Sequence, residues 1–497
     1  SGLFAQVNSP ATGAGGNLLI ETEQLIVREG GQVSVGTFGQ GSAGNLEVIA
    51  SDSVQVLGQS TNGISSGLFA DTQDVGDGRD LKIITGRLIV RDGAVVVAGT
   101  GENSQGNGGN LEVFASESVQ LSGSGSGLYV QADPGSSGKA GNLTINTDTL
   151  LVQDGAQVSA ATFGTGDGGN LEVNAAQSVQ VIGRSADGRV PSGLFAQAEQ
   201  GSSGKAGDLR INTGTLLVQD GAQVTVSSPS GQAGNMTIKA NSLLLNQGRL
   251  FAETAKSSPE GGANITLIGL DLLRMDNESL ISANALEDAN GGNVTIDSTF
   301  IVATPPTGSK GSDITANAVR GNGGRVNITT QGLLGIEFRP QLTPKNDITV
   351  SSEFGFIGDF QLNSPDVDPS RGLAQLPTNI VDASEQIDRR CTPARSTQER
   401  NSFTITGRGG LPPSPHDPLQ SESIITNWVT LDSDVETKTA PVPINPKSST
   451  PKPLVEAQGW MLNQKGDIVL TASALTATPQ GEWFPEAECN DPSVQSQ

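Results

Sequence analysis

The sequence predicts an all-β chain: a parallel β-helix with three strands per coil, followed by a small, mainly β terminal module. Three observations carry this reading. A motif of the form [Gly/Ala]-[Gly/Ala]-Asn-Leu-x-[Val/Ile] recurs with its key position at residues 17, 45, 80, 110, 142, 170, 208, 235, 264, 293 and 325. Eleven copies separated by 27 to 38 residues define a solenoid rather than a set of globular domains. Between copies, apolar residues alternate with polar ones, and no stretch sustains a 3.6-residue period with caps. Composition agrees: 65 of 497 residues are Gly and only 16% are charged, against about 25% in ordinary globular domains.

The composition also divides the chain. Residues 371–497 hold 7 Gly, which leaves 58 of the 65 in residues 1–370; the same tail holds 14 of the 25 Pro, both Cys, all 3 Trp and the single His. Residues 1–370 therefore read as a β-helix of about 11–12 coils, and 371–497 as a carboxy-terminal module. With 29 basic and 52 acidic residues the net charge is −23, which argues against a nucleic-acid partner. No run of 18 apolar residues exists, so no transmembrane helix is expected.

One coil can be read from residues 140–168. Asn142–Ile145 alternates polar and apolar, Thr149–Val152 is a second apolar run, and Ala156–Ala160 alternates again. Asn146-Thr-Asp and Gln153-Asp-Gly separate them as turns, and Asp-Gly returns at 92–93 and 220–221. Coils stacked at about 4.8 Å give a rod on the order of 50–60 Å long.

The repeated residues have structural roles in this scheme. Asn17, Asn45, Asn110, Asn142, Asn170, Asn235, Asn264 and Asn293 are expected to form an internal amide ladder at a corner. Asp80, Asp208 and Arg325 replace Asn and should be its weak points. The Gly pairs before Asn are expected at positive φ. Phe4, Phe69, Tyr129 and Phe195 share one position in the SGLFAQ-like strings. They are expected to form an aromatic stack that packs a loop against the rod; a carbohydrate platform is the functional alternative.

Signals for catalysis are sparse. Residues 1–370 contain no His, so a His-based site is excluded there. The densest acidic string is DTQDVGDGRD, residues 71–80. Asp74, Asp77 and Asp80 at spacings of three are the one candidate for Ca²⁺, with a solvated loop as the plainer reading. Arg79 beside Asp77 and Asp80 is the only pairing a lyase would use. The Gly-rich string at 99–110 is followed by neither Lys-Ser/Thr nor a helix, so it is no phosphate loop.

Towards the end, Val326–Thr329, Asp347–Val350 and Asp359–Leu362 read as strands of the last coils. Residues 377–390 read as a short helix, 402–406 and 423–431 as strands, and 437–453 as a Pro-rich linker. Gly459–Asn463 and Asp467–Ala472 read as a hairpin. His416, in a Pro-fixed loop, reads as an incidental surface residue. Cys391 and Cys489 read as one disulfide closing the module in an oxidising compartment, and as free thiols in a reducing one.

The repeat GKAGNLTINTDTLLVQDGAQVSAATFGTGDGGNLEV, at 138–173, resembles those of filamentous-haemagglutinin-like exoproteins of cyanobacteria. The tail strings LPTNIVDASEQIDRRC, FTITGRGGLPPSP and EAQGWMLNQKGDI resemble the carboxy-terminal region of that family. The resemblance implies a right-handed β-helix, export through an outer-membrane two-partner-secretion transporter, and a secreted or cell-surface location. The sequence starts at Ser1 inside a repeat and reads as a carboxy-terminal portion, expected to lack the family's amino-terminal secretion domain. The expected function is a non-catalytic adhesin or surface-structure protein without a resident cofactor, its partners surface glycans or other cells. The alternatives are a polysaccharide lyase or hydrolase, and the stalk of a contact-dependent delivery system.

Overall fold

The computed structural model describes residues 1–256 and 263–364, together with the backbone of Gly459–Leu462 and Ile468–Thr471. The chain divides into two compact units, Ser1–Asp382 and Ala383–Gln497. The described residues contain no helix, and none is long and apolar enough to cross a membrane.

The first unit is a β-solenoid of about 12 turns. Two parallel sheets run along it, and each strand pairs with the equivalent strands of the coils before and after. One sheet consists of long strands, such as Leu111–Ser122, Leu143–Gln153 and Leu171–Ile182. The other consists of three-residue strands, such as Gly127–Tyr129, Gln157–Ser159 and Gly193–Phe195. A column of single bridges, Thr37 to Thr72 to Thr100 to Ala132 to Thr162 to Ala198, adds a third line of pairing.

The first two strands expected per coil are thus one bent strand. Asn146-Thr-Asp bends the chain without interrupting the ladder: Thr147 pairs with Ala175 and Thr149 with Ser178, so the register shifts by one residue at the bend. The Thr147 hydroxyl donates to the Thr149 carbonyl at 3.2 Å across the bend. From Leu18–Arg28 to Leu209–Gln219 the long strands alternate between 11 and 12 residues. The structural repeat is therefore two coils.

Alternation along each strand fills the interior with aliphatic side chains. Leu81, Leu111, Leu143 and Leu209 stand in register and are inaccessible to solvent, as are Leu68, Val96, Leu128, Val158 and Leu194 on the short strands. Burial of each such side chain contributes roughly 1.5–3 kcal/mol. A coil supplies only one layer of these contacts, so neighbours complete it.

The turns explain two sequence patterns. At Asp154-Gly155 both residues have positive φ, 57° and 84°, and Asp92-Gly93 and Asp220-Gly221 repeat this. Asx residues and Gly are the types that accept this geometry. The Gly155 N–H donates to the buried Ser192 hydroxyl of the next coil at 2.8 Å, and Gly93 does the same to Ser126. The Ser of the SGLF string on one coil thus caps the Asp-Gly turn of its neighbour.

The Gly that precedes Asn has a different reason from the one expected. Gly141, Gly169, Gly207 and Gly234 are absent from the positive-φ residues. A Cβ on any of them would run into the carbonyl oxygen of the glycine one coil below. Close stacking, not turn handedness, favours Gly there. Arg79 and Ala263 are the non-glycine members of this column.

The strands expected near the end are present as Arg325–Thr329, Asp347–Thr349 and Asp359–Asn363. Phe338 and Phe360 stack there with centroids 4.8 Å apart. In the second unit the expected hairpin is an antiparallel pair, Gly459–Leu462 with Ile468–Thr471. Residues 377–390, 402–406, 423–431 and 437–453, His416, Cys391 and Cys489, for which the sequence sets expectations, lie outside the described residues.

Candidate functional site

The Asn column runs along the outside of the rod. Asn17, Asn45, Asn142, Asn170 and Asn235 are exposed, and Asn110, Asn264 and Asn293 half-buried. The expected ladder lies outside rather than inside: the apolar residue after each Asn, whether Leu, Met, Ile or Val, packs into or against the core, so Asn faces out, while Nδ2 still donates to the Asn one coil below at 142, 264 and 293. From Asn17 to Asn264 each side-chain oxygen of the column accepts the backbone N–H one coil on. Asn45 donates to Asn17 at 2.9 Å, Asn142 to Asn110 at 2.9 Å, Asn170 to Asn142 at 3.0 Å and Asn293 to Asn264 at 3.1 Å.

Asp80 and Asp208 do not weaken this column. Asn110 N–H donates to Asp80 Oδ1 at 3.0 Å, and Asn235 N–H to Asp208 Oδ1 at 2.9 Å. The column needs an acceptor, which a carboxylate supplies as well as an amide. Arg325 has none, and its own N–H turns to the Gly292 carbonyl at 3.1 Å.

The aromatic residues do not stack. Phe4 stands opposite Ser34, which stands opposite Phe69; Val97 then separates Phe69 from Tyr129, and Ser159 separates Tyr129 from Phe195. The rings lie on alternate coils, roughly 9.6 Å apart at the usual strand spacing. Each covers the glycine two residues before it: a Cβ on Gly67, Gly127 or Gly193 would strike the ring of Phe69, Tyr129 or Phe195. Leu68, Leu128 and Leu194 point inward between them.

The acidic string is dispersed. Asp77 accepts Asn107 N–H at 2.8 Å, and Asp80 serves the Asn column. Asp74 contributes its backbone carbonyl to Gln105 N–H at 2.9 Å. Among the described residues no group of three or more His, Cys, Asp or Glu gathers as a metal site, so Asp74, Asp77 and Asp80 form no Ca²⁺ cage. Arg79 is exposed and makes no ion pair among the described residues.

Two features escaped the sequence reading. The first is a groove along the bend of the long strands. Ile49, Ile84, Phe114, Asn146, Asn174 and Asn212 follow one another in register along it. Its two sections, of about 490 and 520 Å³, share Asn146 and Thr147 and so are continuous. The small residues Ala50, Ala115 and Ala175, each 1% exposed, form its floor. Asn174 Nδ2 donates to Asn146 Oδ1 at 3.1 Å, and Asn212 Nδ2 to Asn174 Oδ1 at 2.7 Å. Asp148 is the only charged residue of the lining. From the coil of Ile49 to that of Asn241 the groove crosses seven coils, about 29 Å.

The second is a set of carboxyls shifted by burial. Burial raises the Asp133 carboxyl to about 6, with repulsion from Glu102 and Asp71 adding to it. Burial likewise raises Asp71, against the opposing hydrogen bond from Gln73. Asp313 is raised to about 6, mainly by burial, although its Oδ1 accepts the Asp347 N–H at 2.9 Å. Asp133 and Asp313 belong to no string that composition singles out; only stacking buries them.

No family model, curated protein or solved structure matches the chain.

Proposed function

We propose that the chain is a non-catalytic extracellular adhesin, and that its groove holds an extended, neutral polysaccharide. The groove carries this reading. It is long and shallow, with apolar residues at one end and amides at the other; Asp148 is its one charged lining residue, and Lys82 and Glu172 reach Phe114 and Asn174 from beside it. Sugar rings present apolar C–H faces suited to Phe114, Ile84 and Ile49, and hydroxyls suited to Asn146, Asn174 and Asn212. Amides repeated every ~4.8 Å offer a periodic row of partners to an extended chain. Export by two-partner secretion to the cell surface is proposed on the repeat resemblance alone.

Binding of neutral and acidic glycans to immobilised protein tests this. Neutral chains of about six units should bind more tightly than shorter ones. Phe114→Ala should weaken them about tenfold, because one aromatic contact is removed. Equal binding by the variant, or preference for short chains, would overturn the groove as the site.

A polysaccharide-degrading enzyme is the second reading, favoured by Asp313, whose raised carboxyl suits a general acid. Incubation with neutral and acidic glycans, followed by assay of reducing and unsaturated ends, separates the two. Release abolished by Asp313→Asn would establish catalysis over adhesion.

A further inference from the structure

A cavity of about 510 Å³ lies where the repeat is interrupted by residues 304–312 and 339–346. Its floor is the outer edge of three short strands in register, with Arg249 opposite Leu280 and Leu280 opposite Asp313. The volume falls within the 300–1,000 Å³ range of small-ligand pockets.

Three observations point to a ligand. Thr315 lines the cavity, is 1% exposed, and its Oγ1 has no hydrogen-bond partner. On earlier coils the equivalent hydroxyl is satisfied by a neighbour: Ser159 accepts Gln131 Nε2 at 2.8 Å, and Ser282 donates to Glu253. At Thr315 that neighbour is Asn284, whose Oδ1 instead accepts the Asn317 N–H at 2.7 Å. A buried hydroxyl left without a partner is destabilising unless something enters to bond it.

Arg249 and Lys310 both line the cavity, and neither makes an ion pair among the described residues. In a chain of net charge −23, a cavity whose two cations equal its two carboxylates, Glu278 and Asp313, is locally balanced. Glu278 and Asp313 on the same walls accept hydroxyl donors, and Leu342 and Pro344 offer an apolar side.

We propose that this cavity binds a single carboxylate-bearing sugar unit of the hexuronate class. Its carboxylate meets Arg249 and Lys310. Its hydroxyls bond Thr315, Glu278 and Asp313, and its C–H face rests on Leu342. The site is independent of the neutral groove centred on Phe114.

The test is calorimetric or saturation-transfer titration of the full chain with glucuronate, galacturonate, glucose and acetate. A hexuronate should bind saturably, at least tenfold more tightly than glucose or acetate. Lys310→Gln and Arg249→Gln should each weaken it about tenfold, and added salt should weaken it further. Both residues are exposed, so the variants should keep the parent's thermal midpoint. Thr315→Val should weaken hexuronate and leave neutral-glycan binding to the groove unchanged. Absence of saturable hexuronate binding, equal affinity for glucose or acetate, or unaffected Lys310→Gln and Arg249→Gln variants would each overturn the proposal. Phe114→Ala should leave hexuronate binding intact, which separates failure here from failure of the groove.

Discussion

At the residue scale, the Asn column illustrates how little chemistry a repeated position needs. Its bonds run mainly from the backbone N–H of one coil to the side-chain oxygen of the coil below, and the Nδ2 of Asn142 adds only a long one to Asn110 at 3.3 Å. Asn142→Asp should therefore change the denaturation midpoint little near neutral pH. Asn142→Leu should remove an acceptor and lower stability by about 1 kcal/mol, measured by denaturant titration. Comparable losses in both variants would mean that the amide N–H groups carry the column. The glycine below it obeys a stricter rule. Gly169→Ala should cost about 1–3 kcal/mol, because its Cβ meets the backbone of the coil beneath rather than a side chain that can move. Hydrogen exchange should locate the loosening in the coils of residues 143–153, 171–182 and 209–219.

At the element scale, the coil was legible in part. The Asn-Leu motif, the Asp-Gly turns and the inward Leu and Val rows all follow from alternation and turn chemistry, which are local. The join of the first two strands was not legible, because a bend that preserves pairing has the same residue types as a turn that ends it. The aromatic positions make a similar point. Their spacing of 60–66 residues is twice the coil length, so Phe69 and Tyr129 never stand on adjacent coils. The two-coil unit is held by Ser caps. Ser126→Ala should leave the Gly93 N–H without its buried acceptor and cost about 1–3 kcal/mol, read from the thermal or denaturant midpoint. A neutral result would show that Gly93 finds another acceptor.

At the scale of the whole solenoid, buried carboxyls set a pH dependence. Asp133 titrates near 6 when folded and near its ordinary 3.8 when unfolded. Between these values the folded state holds the extra proton, so stability falls as pH rises through this window and grows on acidification. Lower pH also relieves the self-repulsion of a chain with net charge −23. Asp133→Asn isolates the two: the variant should show a flatter rise in thermal midpoint from pH 7 to pH 4. A slope identical to the parent's would take Asp133 out of the effect and leave it to net charge and the other buried carboxyls, Asp71 and Asp313. The surface ion pairs, such as Arg87 with Asp52 at 2.7 Å, are exposed and should contribute little to this dependence.

The sequence by itself determined the class of fold. A motif every ~30 residues, with alternating apolar rows between Gly- and Asn-marked corners, leaves a stacked β-solenoid as the arrangement that buries those rows. It also determined the terminal hairpin, since Gln464-Lys-Gly lies between two short apolar runs. Only the tertiary structure decided which neighbours meet across coils. Ile49, Ile84, Phe114 and Asn146 are about 30 residues apart in succession and form one groove because register places them there. Thr315 loses its partner because Asn284, from the coil below, is drawn to Asn317. Such features arise from stacking, and a local pattern of residues carries no record of what the next coil brings beside it.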